Sequence, residues 1–434
     1  MKLRSPRSRT AFRAAALTVA TVAAAGTLTA CSAGGGSDEG VLNVTLVNHV
    51  WTDIIRDAIP EFEEATGLEV VVTQLGEDQL SDQYNVKLNA GAEDIDVMMY
   101  RPLQEAKLFA TNGYLTPLDE QVAENAEWDW SDFQAGPVEA VTFEGEVIGV
   151  PIITEREVLY YRTDLLEAAG LEVPTTLDEL LVAAETIKEQ NPGTAGFVAR
   201  TGRAAAVTQF SSFLFSEGGE FIDEDGNAAL DTPEAMSAYD IYGTLIREFG
   251  PENVSTDMSW SEAMAIFTQG QAAFYTEADS LYKNATDPAN SRVADTVGFA
   301  PFPAGADGSR PYNIPSWALG INEFSQNKDA AWQFIEWATS KEKQLEIQQE
   351  GVPGPRTSVW EDPAGIESYP DDLADAIIQS TENGVGQDRP VVINVPEARE
   401  IVGNPIVIAI TGGDLDAAVT DAQEKFTTFL EDEQ

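Results

Sequence analysis

Hydrophobic and polar positions repeat with two different periods along the first part of the chain. Three short runs are apolar or alternating and rich in β-branched residues, as strands are: 41–48, 68–74 and 95–99. Two longer segments carry apolar residues at helical spacing: 51–66 and 79–90. Gly67 follows the first of these in the usual position past a helix end. This order predicts an α/β fold whose parallel strands are joined by right-handed helical crossovers.

The third predicted strand is followed by two residues that could hold a small molecule. Tyr100 and Arg101 come directly after it, and Pro102 then opens another helix. Ligands of open α/β sheets lie outside the carboxyl ends of the strands, so both residues are candidates for ligand binding. The alternative is that both only cap the strand and cover the edge of the sheet.

The rest of the chain continues with both kinds of pattern. Further helices are predicted at 177–190, 204–216, 233–249, 261–269, 396–410 and 414–430, with strands at 195–199, 272–276 and 297–302 and a hairpin at 221–230. A chain of 434 residues is too long for one ordinary core, so two or three lobes are expected.

The first 30 residues have the pattern of a targeting segment. A basic start precedes an apolar run of small residues that is too short for a stable membrane span. The segment ends at Leu28-Thr29-Ala30-Cys31, which resembles the lipobox of bacterial lipoprotein signal peptides. The resemblance implies cleavage after residue 30, lipidation of Cys31 and a flexible tether over 31–40. An unmodified Cys after a plain secretion signal is the alternative.

Composition narrows the possible functions. The formal net charge is −48, from 25 Lys and Arg against 73 Asp and Glu, and such a surface repels nucleic acid and anionic lipid headgroups. The single Cys rules out an internal disulfide, and His49, the single His, cannot form a multi-histidine metal site. Neither a G-x-S-x-G elbow nor a G-x-x-x-x-G-K-[ST] loop occurs in the sequence. We therefore expect no metal and no cofactor.

An ordered set of motifs carries a family resemblance. The pattern F-x-x-x-T-G-x-x-V begins at Phe62, a D-V-x-x strand follows at Asp96, and a helix then ends in N-G-x-L-x-P-L-D at residues 112–119. Trp260 to Tyr275 and 327–346 add two further segments of the same kind. Together they resemble extracellular solute-binding proteins of carbohydrate ABC importers, which are relatives of maltose-binding protein, and above all the sugar- and polyol-binding members.

The resemblance implies a two-lobed periplasmic-binding-protein-like fold with three crossings between the lobes and a ligand cleft between them. It places 41–150 and 277–350 in the amino-terminal lobe, and 151–276 and 351–434 in the carboxy-terminal lobe. The first crossing matches Glu146–Pro151 followed by Val158–Leu166, and the third matches residues 351–356. By the same resemblance, 272–276 crosses back toward the first lobe, and 297–302 followed by Ser316–Asn322 completes that lobe.

Nine residues near predicted strand ends are candidates for ligand binding: Trp51, Asp78, Tyr100, Arg101, Glu155, Glu277, Asp279, Trp317 and Arg356. Carboxylates and arginines form strong hydrogen bonds to hydroxyl groups, and aromatic rings suit the C–H faces of sugars. Glu155 matches a sugar-contacting Glu of maltose-binding protein, although a surface ion pair with Arg156 is the alternative. Any of the acids could be a solvated surface charge. We expect Trp260 to be a packed helix start.

The resemblance implies a lipid-anchored, monomeric binding protein on the outer face of the cytoplasmic membrane. It would capture a sugar or polyol by lobe closure and deliver it to a membrane permease that a separate ATPase drives. One alternative is a secreted glycoside hydrolase, which needs two carboxylates about 5–10 Å apart. Another is a structural or adhesive lipoprotein with an empty cleft.

Overall fold

The computed structural model describes residues 40–433 except Asn125, Val254 and the side chain of Asp78. The predicted targeting segment, Cys31 and residues 32–39 of the tether lie outside the described residues. The chain from Gly40 onward forms one compact unit of mixed α/β structure.

Ten strands form one large sheet and one small hairpin. They are β1 (Val41–Val47), β2 (Glu69–Leu75), β3 (Val97–Tyr100), β4 (Thr142–Phe143), β5 (Glu146–Val147), β6 (Val150–Arg162), β7 (Ala195–Val198), β8 (Ala272–Ala278), β9 (Val297–Pro301) and β10 (Asn313–Ile321). The large sheet has the order β2-β1-β3-β10-β6-β8-β7, with β9 also paired to β6, and β4 pairs with β5. The pairs β1–β2, β1–β3 and β7–β8 are parallel, whereas the pairs made by β6 and β10 are antiparallel.

Eighteen α-helices lie in the described part of the chain. They are α1 (Val50–Thr66), α2 (Glu77–Asn89), α3 (Lys107–Thr111), α4 (Asp119–Glu124), α5 (Ala135–Ala140), α6 (Thr163–Ala169), α7 (Leu177–Gln190), α8 (Arg203–Ser216), α9 (Pro233–Arg247), α10 (Trp260–Thr268), α11 (Tyr282–Thr286), α12 (Lys328–Ala338), α13 (Lys341–Gln349), α14 (Thr357–Trp360), α15 (Pro363–Ile366), α16 (Asp371–Glu382), α17 (Val395–Thr411) and α18 (Leu415–Asp432). A π-helical turn at Pro102–Ala106 precedes α3.

Helix α1 shows how the local sequence defines these elements. His49 Nδ1 accepts a hydrogen bond from Trp51 N at the amino end, and Gly67 ends the helix in the left-handed region at φ 75°. Ile55 and Phe62 face inward and are buried. Each such side chain contributes about 1.5–3 kcal/mol of hydrophobic stabilisation. The observed bounds agree with the predicted helix to within one residue at each end.

Two sets of buried apolar side chains lie at opposite ends of the large sheet. The first core is drawn from residues 42–153 and 317–352, and the second core from 158–302 and 360–429. The chain passes between them three times: within β6, between residues 302 and 317, and between residues 352 and 360. Each core stays packed on its own side, which is the architecture that permits rotation of one half against the other.

The second passage differs from the expected boundary at residue 277. Strand β8 stays in the second half, and β9 pairs there with Val158–Arg162 of β6. Residues 297–302 therefore belong to the second core, and the return to the first core is made by β10. The short apolar run at 297–302 fits either sheet equally well, so its pattern does not specify which half receives it.

Candidate functional site

The middle of β6 carries three charged residues where the strand passes between the two cores. Arg156 and Glu157 have no exposed surface, and Glu155 is partly buried. Residues 150–156 of β6 pair with β10, and residues 157–162 pair with β8 and β9. Because β10 pairs with this segment through residue 156 and β8 pairs with it from residue 157 onward, the polar segment remains extended in the interior of the protein.

Arg156 pairs with the carboxylate of Asp279, which directly follows β8. Its backbone N–H donates to Asp279 Oδ1 at 2.9 Å, and its Nε donates to Asp279 Oδ2 at 2.8 Å. The side chain of Asp279 is also fully buried, and the guanidinium carbon lies 4.9 Å from the ring centroid of Trp360. Arg156 Nη1 further donates to Gln134 Oε1 at 3.2 Å, so residues from both halves meet at this arginine.

Glu155 is placed to accept hydrogen bonds at the passage. Ser280 Oγ donates to Glu155 Oε1 at 2.9 Å. Burial raises the pKa of the Glu155 carboxyl, and the Ser280 hydroxyl acts in the opposite direction. On the neighbouring strand β10, the buried hydroxyl of Ser316 also lies close to the Glu155 carboxyl and acts on its pKa in the same direction as Ser280. Glu155, Ser280 and Ser316 form a group of hydrogen-bonding side chains that we call the hinge acceptors.

Arg101 lies at the carboxyl end of β3, on the first core's side. Its Nη2 donates to Ser81 Oγ at 2.7 Å and to Glu105 Oε1 at 3.1 Å. Its guanidinium carbon lies 6.0 Å from the ring centroid of Trp317, which is 5% exposed. The side chain of Arg101 keeps 29% exposure, so it is held in position while part of its surface stays open.

Arg200 and Glu277 form a matching group on the second core's side. Arg200 Nε and Nη2 donate to the two oxygens of Glu277 at 2.8 and 2.5 Å, and Tyr275 Oη donates to Glu277 Oε2 at 2.7 Å. Trp260 begins the helix beside them, and Tyr275 Oη lies 3.3 Å from its carbonyl oxygen. The Trp260 side chain is 41% exposed, which does not fit the packed helix start that we expected.

The remaining sequence candidates lie elsewhere. Tyr100 is the last residue of β3 and, like Trp51, is wholly buried in the first core. Arg356 is 1% exposed, and its guanidinium donates to Asp132 and to the carbonyls of residues 128, 129 and 339. Asp78 lies in α2, and its side chain is outside the described part of the structure. The structure therefore brings Arg101 and Trp317 together, and Glu155, Glu277 and Asp279 around the passage, but gives Arg356 a bracing position.

Three charged residues of the second half were not among the candidates predicted from the sequence. Arg200 follows β7, and Asp388 and Arg389 lie in the loop between α16 and α17. The position of Arg200 directly after a predicted strand was a usable signal, of the same kind that singled out Arg101. Asp388 and Arg389 lie in a loop after a helix, where no local pattern distinguishes a buried ion pair from a surface pair.

A cavity of about 280 Å³ lies between residues 102–107 and 139–148 on one side and 386–392 on the other. Two hydrogen bonds join the two sides of this cavity. Lys107 Nζ donates to the carbonyl oxygen of Val391 at 3.1 Å, and Arg389 Nη1 donates to Gln104 Oε1 at 3.4 Å. The loop at 386–392 therefore touches the first half directly, and the described arrangement has its two halves in contact.

Two further properties concern the described residues. None of the helices described has both the length and the apolar stretch that crossing a bilayer requires. Within residues 40–433 as described, no group of three or more His, Cys, Asp or Glu side chains is arranged to hold a metal ion.

Solved structures define the class of protein first. A solute-binding protein of an ABC transporter from Agrobacterium radiobacter K84, in complex with ribitol, is 27% identical with a TM-score of 0.74, covering 90% of this chain and 98% of that chain. Maltose-bound T. maritima MalE3 is 28% identical with a TM-score of 0.72, covering 89% and 100%. The predicted α/β fold of two-lobed periplasmic binding proteins is confirmed.

The sequence then identifies the family. The model of the bacterial extracellular solute-binding protein family matches residues 48–345, and the chain belongs to this family. The mannitol-binding protein of Pseudomonas aeruginosa is 29% identical over 267 residues, which are 59% of this chain. The match spans 60% of the length of that relative.

Proposed function

We propose that this protein is the substrate-binding component of an ABC importer and that it captures a polyol or a small sugar between its two halves. The observation that carries this proposal is the polar middle of β6, which lies where the chain passes from one core to the other. The names of the relatives support the ligand class, since they bind mannitol, ribitol and maltose.

The chemistry of the candidate site suits a ligand with many hydroxyl groups. Arg101 and Arg200 offer charged donors, and the hinge acceptors offer oxygens. A hydroxyl group both donates and accepts, so it can bond to either set, and bonds to charged partners are the stronger ones. Trp317 and the exposed ring of Trp260 could cover the C–H surface of the ligand.

Capture is proposed to work by rotation about the three passages. In the closed form the contacts Lys107–Val391 and Gln104–Arg389 join the two halves. A ligand that bonds to Arg101 on one side and to Glu277 or Arg200 on the other favours this form, because its bonds are complete only there. The closed form would then be recognised by a membrane permease, and a separate ATPase would drive transport.

Attachment to the membrane is part of the proposal. Cys31 would carry the lipid after removal of residues 1–30, and residues 31–40 would tether the protein to the outer face of the cytoplasmic membrane. Mass spectrometry of the protein purified from its membrane should find a mass increase on Cys31. Full-length protein that is released without a lipid would contradict this part.

Isothermal titration calorimetry of the purified protein against alditols, monosaccharides and disaccharides tests the main proposal. We expect saturable binding to at least one of them, with recovery of the ligand unchanged. Amino acids and peptides are the control ligands. Binding confined to the controls would contradict the ligand class, and the release of a cleaved sugar would favour a glycoside hydrolase.

A further inference from the structure

The end of β7 and the start of α8 form a positively charged corner in the second half. Arg200 follows β7, and α8 begins after Gly202, whose position offers no side-chain cap to the helix. The amino end of a helix carries a partial positive charge and unpaired N–H groups. Arg399 of α17 lies at this first turn, since its Nε and Nη2 donate to the carbonyl oxygen of Ala204 at 2.8 and 2.5 Å.

Arg399 lacks a carboxylate of its own. Besides Ala204 O, it donates to Thr208 Oγ1 at 2.9 Å, and neither of these groups is charged. The nearby carboxylate of Asp388 is taken up by Arg389, whose Nε and Nη2 both bond to it at 2.5 Å, and by the Thr208 hydroxyl at 2.7 Å. Arg200 is likewise matched by Glu277.

Positive charges therefore outnumber negative charges in this corner. Three guanidinium groups, Arg200, Arg389 and Arg399, lie near the carboxylates of Glu277 and Asp388 and near the Glu157 carboxyl, whose pKa is held well above its usual range by burial, which favours its neutral form. Burial, followed by repulsion from Arg389, lowers the pKa of Arg399 to about 9. A partly buried cation without a carboxylate of its own is costly, and a chain with a formal charge of −48 has acids available almost everywhere else. Arg399 shares the charge of Asp388 with Arg389, so this corner has one guanidinium group more than its ionised carboxylates match.

The corner is within reach of a ligand between the halves. Arg389 touches Gln104 of the first half at 3.4 Å, and its side chain is 17% exposed. Arg200 is 13% exposed and lies at the carboxyl end of β7, the edge at which α/β sheets bind ligands. The side chain of Arg399 is itself only partly buried, so an anionic group on a captured ligand could approach it without unfolding either core.

We propose that Arg399 recognises a carboxylate, so that the preferred substrates are acidic sugar derivatives, such as aldonates or uronates, rather than their neutral counterparts. The inference rests on the proposed function and narrows its substrate class. A single excess positive charge matches a carboxylate better than a phosphate, which carries about −1.5 to −2 at neutral pH. A planar guanidinium can also bond both oxygens of a carboxylate.

Titration of the purified protein with matched ligand pairs tests the inference. The pairs are the four- to six-carbon aldonates with their alditols, D-galacturonate with D-galactose, and D-gluconate with D-glucitol 6-phosphate. We expect the carboxylate member to bind about tenfold more tightly in at least one pair. If neutral members bind equally well or better throughout, or if the phosphate exceeds the carboxylate, the inference is wrong and the proposed function stands. If no member of any pair binds, the inference is wrong as well, and binding or its absence in the disaccharide titrations then decides the proposed function.

Variants of Arg399 test whether this residue causes the preference for a carboxylate. Arg399→Gln should weaken aldonate binding about tenfold and change alditol binding less than about threefold. Arg399→Lys keeps the charge and should retain part of the preference. The matched control is Arg203→Gln, because Arg203 is 48% exposed and faces Glu400 at 3.7 Å. An equal loss for acid and neutral ligands in Arg399→Gln would indicate a purely structural role and overturn the inference.

Discussion

The first and third passages between the halves each contain a buried arginine, but the two are held in different ways. Arg156 in β6 is matched by the fully buried carboxylate of Asp279. Arg356 bonds mainly to backbone carbonyls, and its carboxylate partner, Asp132, is 11% exposed and also accepts from Ser358. The first passage therefore depends on one fully buried charge pair that Gln134 and Trp360 support, whereas the third depends on separate bonds to residues 128–132 and to residue 339.

Removal of the two arginines should therefore lower the stability of the protein by different amounts. Removing one member of a buried ion pair leaves an uncompensated charge, whereas removing an arginine from carbonyl groups leaves neutral acceptors. Arg356 also lies 4.2 Å from the ring centroid of Phe133, so part of its contribution is packing. The two arginines have almost the same burial, and exposure alone would rank them as equal.

The largest effect is expected from Arg156→Met. The variant leaves Asp279 buried without its partner, and we expect a loss of about 3–5 kcal/mol in the free energy of unfolding. Urea denaturation measures this loss. The double variant Arg156→Met with Asp279→Asn is the control and should recover part of it. A single variant as stable as the wild type would show that the pair is not what stabilises the first passage.

Arg356→Met should lower the free energy of unfolding by less than Arg156→Met does, about 2–3 kcal/mol. It removes hydrogen bonds to three carbonyls and the charge partner of Asp132, but Asp132 keeps its bonds from Ser358 N and Oγ. Urea denaturation of this variant measures the loss in the free energy of unfolding. A cost above that of Arg156→Met would contradict the comparison of the two passages.

Gly136→Ala tests the packing around the first passage. A Cβ at Gly136 would lie 2.5 Å from the carbonyl oxygen of Asn313 in β10, so the backbone there must shift, and 3.3 Å from Gly386 Cα, which must move by a few tenths of an ångström. We expect a loss of about 1–3 kcal/mol in the free energy of unfolding and weaker ligand binding. Gly76→Ala is the matched control, because its nearest neighbour would be Gln79 Oε1 at 3.9 Å. Equal effects of the two substitutions would show that the close contact between Gly136 and β10 is unimportant.

The smallest effect at acidic pH is expected from Glu157→Gln, next to Arg156. Burial holds the pKa of the Glu157 carboxyl well above its usual range, although the hydroxyl groups of Ser212 and Thr276 act in the opposite direction. The native state thus favours the protonated carboxyl. Its contribution to stability is complete below the usual pKa and is lost as the pH rises through the raised pKa.

Urea denaturation at pH 4, 6 and 8 measures this dependence. The stability of Glu157→Gln relative to the wild type should increase with pH, because the amide cannot ionise. Glu179→Gln, which changes an exposed carboxyl at the start of α7, is the control and should lack this increase. A stability difference that does not change with pH would contradict the assignment.

Much of the fold was predictable from local patterns. The helix predicted at 396–410 is observed as α17 (Val395–Thr411), and that at 414–430 as α18 (Leu415–Asp432). Their apolar residues repeat at helical spacing, and Gly412 ends the first of them at φ 71°. The site was predicted less completely. Arg101 and Trp317 do meet, but Tyr100 points into the core because it is still part of β3.

The sequence by itself determined the order of helices and strands and the family of the protein, because apolar spacing, capping residues and ordered motifs are local properties. The tertiary structure decided that the polar residues 154–157 form one continuous strand with the apolar ends of β6, and that β9 joins the second half. It also decided which arginines are paired. Those outcomes depend on residues more than one hundred positions apart, such as Arg156 and Asp279, and their burial and charge balance exist only once both cores have formed.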